Sequence, residues 1–569
     1  MKKVPELPRG TAPGQSFSPL STTSWFPAES IEKQAGPKGG FSYRQGKIWL
    51  GRTVSETAQP VGWMDDRHMI TIAGSRTGKG VSAIIPALCD YTGSVLCIDP
   101  KGENALRTAA RRGFGTSQIK GMMQDVYVLD PYDISGVERE YLATFDPLDG
   151  LSAEADNTLE EAGIIADALV VSANPRDAHF DDTAKAFIEA LILHVVSDPH
   201  HAEDRTLGNV RFLLRDGDRE ARKRAVADIH QSEKIPSEHK DKLADRISAF
   251  DALLASMATN ESFEGIIAGA ASGLADLGDR ERGSVLSTAR RNLKFLDAPK
   301  MRACLSSGKH TLRLQELKQA SNGVSVFLVM PSRLMKTHAR WMRLLLNLTV
   351  SRLEADPTPA HKDRPVLAIL DEFPMLGHLQ VIENAIGYMA GFGLKIWSII
   401  QDLSQLKRDY PDSWETFLGN AGMIQCFGNS DQTTLDYISK RLGEVEVIRE
   451  TTNRSETATK STSDLSDFEK IARTSGKQLG AFDLENNTKT ASESTAKAVN
   501  TSQSLQKAPL LSAEEVRRYT ARSTGMQIVM LADYRPLYLL RTPYFKDSFF
   551  DGKYAVVNQA LSAQPSSSG

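Results

Sequence analysis

Cysteine is scarce in this sequence. Four residues in 569, Cys89, Cys97, Cys304 and Cys426, are scattered with no CxxC and no Cys/His spacing. That argues against a disulfide framework and against a zinc site, and it fits a chain kept in a reducing cytosol. No stretch reaches the ~18 uncharged apolar residues that a membrane-spanning helix needs. The opening "MKKVPELPRGTAPGQSF" has no apolar core behind its lysines, so it does not read as a secretory leader. Positive charge is not in excess either: the formal net charge is −3. Contact with nucleic acid must therefore come from local patches or a channel rather than from global basicity. These absences point to a cytoplasmic protein. What is present, 41% hydrophobic and 24% charged residues, is the composition of an ordinary globular chain. Its length is ample for a substantial core.

Along the chain the patterns change several times. Residues 1–42 are rich in Pro, Gly, Ser and Thr without periodicity and read as a disordered arm. Ordered structure is expected from "KIWLGRTV". Residues 43–154 carry the buried-strand runs "MITIAG", "SVLCID" and "VYVLD", with helical segments between, which implies a sheet covered on both faces. Residues 155–305 lose strand signals and gain helix-period apolar positions, as in "DDTAKAFIEALILHVV", so an all-α domain is expected there. Residues 306–445 return to strands with "VSVFLVMP", "PVLAILDE", "LKIWSIIQD" and "GMIQCFGN", completing the same α/β domain. Residues 446–507 are dominated by Ser, Thr, Asn and small side chains and read as a mobile loop. Residues 508–556 supply a terminal helix, with Ser512 and Glu515 as a capping box, and terminal strands; residues 557–569 read as a disordered tail.

The chemistry concentrates at a few strand ends. "TIAGSRTGKGVSAIIPAL" has the strand, glycine-rich turn and helix of a phosphate-binding loop. Its backbone N–H groups and helix N-terminus would face phosphate oxygens, and Lys79 would supply the point charge. The nucleotide-binding set is Gly74, Ser75, Arg76, Thr77, Gly78, Lys79, Gly80 and Val81. Two positions depart from the common pattern. Ala73 stands where a glycine is usual, and Gly80 stands where a hydroxyl usually binds Mg²⁺. The bland alternative is a glycine-rich turn that binds nothing.

"VLAILDEFPMLG" places Asp371 and Glu372 after an apolar strand. Carboxylates there are costly unless they hold a metal or move protons. Asp371 is assigned to Mg²⁺ and Glu372 to polarising the attacking water. Gln401, at the end of "KIWSII", could bond a γ-phosphate or its water. Lys79, Glu372 and Gln401 form the expected catalytic set. In "IDPKGE", Lys101 or Glu103 could support the site or a subunit contact.

These elements, together with "GSVLSTARRNLKFLD", "MAGFGLKIWSIIQDLSQLK", "WETFLGNAG" and "YISKRLG", span roughly residues 65–445. In this order they resemble the coupling proteins of bacterial type IV secretion, the TraG/VirD family. Glycine after the loop lysine is frequent in that family, so Gly80 reads as a family variant; "IP" at Pro86 likewise reads as a built-in kink. The resemblance implies a RecA-like P-loop NTPase domain with an inserted all-α domain, using ATP and Mg²⁺ and assembling as a homo-hexamer. Its implied partners are DNA bound without sequence preference, a relaxase or other secretion substrate, the channel ATPases and inner-membrane components. Family members carry an N-terminal membrane anchor, and this chain shows only a polar arm. The expected location is therefore cytoplasmic, or peripheral at the inner membrane through partners.

A ring ATPase needs a charge donated across the subunit boundary. Arg441 is the trans-acting candidate, with Arg340 and Arg343 as competitors. Arg290, Arg291, Lys294, Lys300 and Arg302 form one basic run, and Lys407 and Arg408 another; runs of this kind are more often solvated helix faces than DNA contacts. Three functions remain open: an ATPase that pumps DNA, which is preferred; one that handles protein effectors only; and a receptor that does not hydrolyse ATP.

Overall fold

The computed structural model describes residues 23–33, 40–170, 178–359, 361, 363–462 and 491–556. Thirteen strands are found among them: β1 (Ile48–Thr53), β2 (Pro60–Trp63), β3 (His68–Ala73), β4 (Val95–Asp99), β5 (Asp125–Leu129), β6 (Val324–Val329), β7 (Val366–Leu370), β8 (Leu394–Ile400), β9 (Ala421–Phe427), β10 (Glu444–Thr462), β11 (Ala491–Pro509), β12 (Met526–Leu531) and β13 (Leu537–Leu540). Eleven form one sheet in the order β2-β1-β13-β12-β9-β3-β8-β7-β4-β6-β5. From β9 to β5 every pairing is parallel. From β9 out to β2 every pairing is antiparallel. The parallel strands are the near-continuous Val/Ile/Leu runs of the sequence, because both faces are covered and neither needs polar side chains.

Alternate residues feed two cores. Ile70 and Ile72 of β3 belong to one apolar cluster, and Met69 belongs to the other. The first cluster continues without a break into the inserted helices, where it includes Leu191, Leu213, Leu253 and Val285. Those helices leave the sheet after β5 and return at β6, its neighbour on that edge. They run from Thr158–Leu169 through Ala178–Ser197, Leu207–Asp216 and Arg219–Gln231 to Asp279–Asn292, and among the described residues no strand lies between them. This α/β architecture with its all-helical insertion agrees with the fold class read from sequence. The capping box of Ser512 and Glu515 is present at the helix Ala513–Tyr519.

A buried polar row crosses the central strands. Trp397 Nε1 donates to Thr71 Oγ1 at 2.8 Å, Thr71 Oγ1 to Gln425 Oε1 at 2.8 Å, and Gln425 Nε2 to Gln527 Oε1 at 2.6 Å. Unpaired amides there would be costly, so the row fixes the lateral register of β8, β3, β9 and β12.

Two expectations need correction. The arm 1–42 is partly built into the fold. Trp25 and Phe41 are buried, the Phe26 amide donates to Pro536 O at 2.9 Å, and Ala28–Lys33 is helical. Aromatic side chains scattered through a polar stretch give no periodic signal, yet each buries a large apolar area. Residues 1–22 and 34–39 lie outside the described residues.

The stretch 446–507 is not simply a loop. Its two ends, within β10 and β11, pair antiparallel as a ribbon from Glu444↔Pro509 to Thr462↔Ala491. The sequence is poor in apolar residues but rich in β-branched Thr, which suits an extended strand, and the ladder satisfies the backbone. Residues 463–490, and the tail 557–569, lie outside the described residues.

Candidate nucleotide site

The sheet order gathers the site. β8 separates β3 from β7, so the carboxyl ends of β3, β8 and β7 lie side by side. The loop of residues 74–81 follows β3, Gln401 follows β8, and Asp371 and Glu372 follow β7. Three distant sequence segments thus meet at one edge, where open α/β sheets bind ligands.

The loop explains its own glycine pattern. Ala73 is the last, fully buried residue of β3, while a Cβ on residue 74 would overlap the carbonyl oxygen of Gly428. The close approach therefore demands glycine at 74 and not at 73. Gly78 sits at φ +95°, open to glycine and strained for other residues. The Thr77 hydroxyl donates to Gly74 O at 2.6 Å and the Ser82 hydroxyl to Gly78 O at 2.8 Å, closing the turn. Gly80 has no atom within 4 Å of an added Cβ, so it faces open space.

The helix after the loop begins with a π turn, Gly80–Ile84, before Ile85–Asp90. Pro86 stands in the first turn of that second helix. A proline inside a regular helix clashes with the carbonyl four residues back. The widened turn before it removes the clash, so the expected kink takes the form of a π-to-α junction.

The three residues expected to form a catalytic set are in contact. Lys79 Nζ lies 3.5 Å from Glu372 Oε1, and Gln401 Nε2 donates to Glu372 Oε2 at 3.0 Å. Glu372 has φ +55° and Arg76 φ +57°, both in the left-handed region that costs a non-glycine residue about 1–2 kcal/mol. The Glu372 amide donates to Asp371 Oδ1 at 3.0 Å. Burial first, and Glu372 second, push the Asp371 carboxyl up to about 6; Lys79 opposes them. A divalent cation beside Asp371 would favour its charged form, so the donor set fits Mg²⁺.

Sequence reasoning missed several groups here. Arg541, one residue past β13, is buried; its Nη1 donates to Thr77 O at 2.9 Å, and its guanidinium carbon stacks 4.0 Å from the Phe427 ring. Burial lowers it to about 10, which leaves it charged at neutral pH. No local motif marks it, since it reaches the loop only through the sheet. Asp99, at the end of β4, is pushed up to about 7 by burial, opposed by the Ala105 amide it accepts and reinforced by Asp371. Asn429 is buried after β9 and donates from Nδ2 to Gln401 O at 3.3 Å. Its position at a strand end, in "CFGNS", is the signal that could have found it. Lys101 and Glu103 are exposed beside the site.

Other candidates stand apart. Arg441 is exposed on the helix Gln432–Leu442 and donates from Nη1 to Tyr437 Oη at 3.1 Å, within its own helix. Arg340 Nε donates to Asn292 Oδ1 at 3.0 Å and Arg343 Nη1 to Leu376 O at 3.3 Å. The basic runs are largely engaged internally: Arg290 with Leu214 O, Arg291 facing Asp181, Arg302 with Leu296 O, Lys407 over Trp414 and Arg408 with Asp409. Among the described residues no helix is long and apolar enough to cross a membrane.

Comparison with known proteins shows the family. The chain matches the family described as "Type IV secretory system Conjugative DNA transfer" over residues 28–474 and 464–568. It is 25% identical over 515 residues to conjugal transfer protein TraG of Escherichia coli, covering 86% of this chain and 69% of that protein. It is 25% identical over 540 residues to protein VirD4 of Rhizobium rhizogenes, covering 95% of this chain and 66% of that one. Among solved structures, the unbound bacterial conjugative coupling protein TrwBdeltaN70 superposes with a TM-score of 0.56 at 13% identity, over 94% of this chain and 96% of that one. That likeness is one of fold. With the family matched over nearly the whole chain, this protein belongs to the type IV secretory system conjugative DNA transfer family, the TraG/VirD4-type coupling proteins.

Proposed function

We propose that this coupling protein hydrolyses ATP with Mg²⁺ and uses the cycle to move relaxase-bound DNA to the transfer channel. The observation that carries the reading is the contact chain Lys79–Glu372–Gln401, joining a phosphate loop to an acidic strand end through a neighbouring strand. The names of the relatives support the cargo. TrwB, the structural neighbour, is known in complex with the GTP analogue GDPNP, with ADPNP, and with ADP and Mg²⁺, which supports nucleotide and Mg²⁺ at the equivalent edge here.

In this reading the amides of residues 74–81 and the Lys79 ammonium hold the phosphates, and Asp371 holds the ion through water. Bound nucleotide and Mg²⁺ supply the scissile anhydride and the charge that stabilises its leaving group. Glu372 accepts the proton of a water that it also orients. Gln401 bonds Glu372, so a shift of that carboxylate is felt at β8. The pairing of Glu372 with Lys79 describes the site before phosphate displaces the lysine. A trans-acting arginine and the pore belong to a homo-hexamer, with Arg441 as the exposed candidate.

The test is the ATPase rate of the purified protein with and without single- and double-stranded DNA over a salt series. DNA-stimulated turnover that falls steeply with salt is expected, because phosphate contacts release counterions. A rate indifferent to DNA would assign the protein to effector cargo. Absence of turnover with nucleotide bound would make it a receptor.

A further inference from the structure

The inserted helical domain holds a second polar centre, unrelated to the nucleotide site. His194, Asp198 and His201 are all buried and each offers a ligand atom, these atoms lying within 4.8 Å of one another. His194 and Asp198 sit one turn apart at the end of the helix Ala178–Ser197. The short 3₁₀ turn Pro199–His201 then folds His201 back toward them. Asp218, which caps the helix Arg219–Gln231, closes the group from another direction.

Both carboxylates divide their work. Asp198 Oδ1 accepts the His200 amide at 2.9 Å, and Asp218 Oδ1 accepts the Ala221 amide at 2.8 Å. Their other oxygens face the imidazoles: Asp198 Oδ2 lies 3.6 Å from His194 Nε2 and also accepts the Ser256 hydroxyl at 3.4 Å, and Asp218 Oδ2 lies 3.9 Å from His201 Nε2 with Arg224 Nη2 4.0 Å away. The two distances to the imidazoles are too long for hydrogen bonds. Both Nε2 atoms are buried without a hydrogen-bond partner. Two orphaned ring nitrogens aimed at two carboxylate oxygens are what an ordinary core avoids, since each unmet group costs about 1–3 kcal/mol.

We propose that His194, Asp198, His201 and Asp218 bind a single structural zinc ion. Two imidazoles and two carboxylates give the four N/O donors of a closed tetrahedral zinc site, and the two negative charges neutralise the ion. Small inward movements bring the donors from their present spacing to coordination distance. Coordination through Nε2 places the remaining ring proton on Nδ1. There the amide nitrogens of Asn260 and Asn209 stand 3.1 Å from His194 Nδ1 and 3.3 Å from His201 Nδ1, donating to the rings. On binding, each carboxamide turns its oxygen to the ring as the outer-shell acceptor that zinc-bound histidine requires, and Asn260 Nδ2 gives up Ser197 Oγ at 3.0 Å and Asn209 Nδ2 gives up Asp204 O at 2.9 Å. The ion then ties the end of the helix Ala178–Ser197 and the 3₁₀ turn after it to the start of the helix Arg219–Gln231 without any cysteine. Mg²⁺, which prefers an all-oxygen octahedron, is a poor match for these donors, so this centre is distinct from the Mg²⁺ expected at Asp371.

The test begins with the full-length protein stripped by a chelator and titrated with zinc against a chromophoric competitor, then with cobalt as a spectroscopic substitute. One zinc per chain and the intense visible absorption of tetrahedral cobalt are expected. His201→Gln and, separately, His194→Gln should weaken zinc by at least about tenfold. His239→Gln, on an exposed helix of the same domain, should leave it unchanged. Zinc should also raise the melting temperature of the wild type and not that of His201→Gln. Absence of stoichiometric binding, octahedral cobalt spectra, or equal affinity in His201→Gln and the wild type would each overturn the proposal. If His194→Gln fails to fold, the His201→Gln comparison decides.

Discussion

Arg541 Nη1 donates to the carbonyl oxygen of Thr77 at 2.9 Å, so the chain's last sheet strand reaches under the phosphate loop. The two residues are 464 positions apart. No carboxylate pairs with this buried guanidinium among the described residues, and its other contacts are Ser82 Oγ, Met526 O and the Phe427 ring. Replacing it with Gln removes the fork that holds the loop carbonyl. We expect nucleotide affinity to fall about tenfold and stability by about 1–3 kcal/mol. Fluorescent-nucleotide titration and denaturant unfolding read the two separately. Unchanged affinity beside lowered stability would reduce Arg541 to a packing role.

Lys79 and Glu372 meet at 3.5 Å yet should fail differently when replaced. Lys79→Ala removes a phosphate charge, so both binding and turnover are lost. Glu372→Gln keeps the shape and loses the proton acceptor, so binding persists while turnover falls by about 10²–10⁴-fold. Single-turnover hydrolysis and equilibrium binding on the same preparations distinguish the pair. Full turnover in either variant would remove this site as the catalytic one.

Gly74 and Gly80 make opposite predictions within one loop. An alanine at 74 must push the Gly428 carbonyl aside, so Gly74→Ala should misplace the loop and abolish nucleotide binding. Gly80 faces open space, so Gly80→Ser should fold with a stability change within about 0.5 kcal/mol. It would also restore the hydroxyl that most phosphate loops place there. Thermal melts and Mg²⁺-dependent nucleotide titrations of the two variants test the contrast.

Asp371 sets a pH dependence. Its carboxyl is raised to about 6 from an ordinary value of 3.8, so the folded state holds its proton more tightly than the unfolded chain. Its contribution to stability therefore falls as pH rises from about 4 to about 6, and is flat above that. Cation binding runs the other way, because only the charged form attracts Mg²⁺. Mg²⁺-dependent nucleotide affinity should weaken as pH drops below about 6, and Asp371→Asn should flatten that profile. An unchanged slope in the variant would assign the titration to another group.

Much of this was legible in the sequence because it is local. The apolar runs that became β3 to β9, the helical periodicity of 155–305 and the Ser512 capping box each follow from neighbours a few residues apart, and backbone geometry turns such patterns into elements directly. The phosphate loop and the Asp371–Glu372 pair were visible for the same reason. The sequence alone therefore determined an α/β protein with an all-helical insertion and a glycine-rich strand end of phosphate-loop pattern. Tertiary structure alone decided the rest. It placed β8 between β3 and β7, so that Gln401 meets Glu372. It showed that the loop needs its glycine at 74 because Gly428 passes close by. It brought Arg541 beneath Thr77, and it turned two histidines toward two aspartates at the junction of two helices and a 3₁₀ turn. It paired the ends of a Thr-rich stretch as a ribbon and buried Trp25 in a polar arm. Each of these depends on which distant segments pack together, and packing is fixed by the sum of burial over the whole chain, which no short stretch encodes.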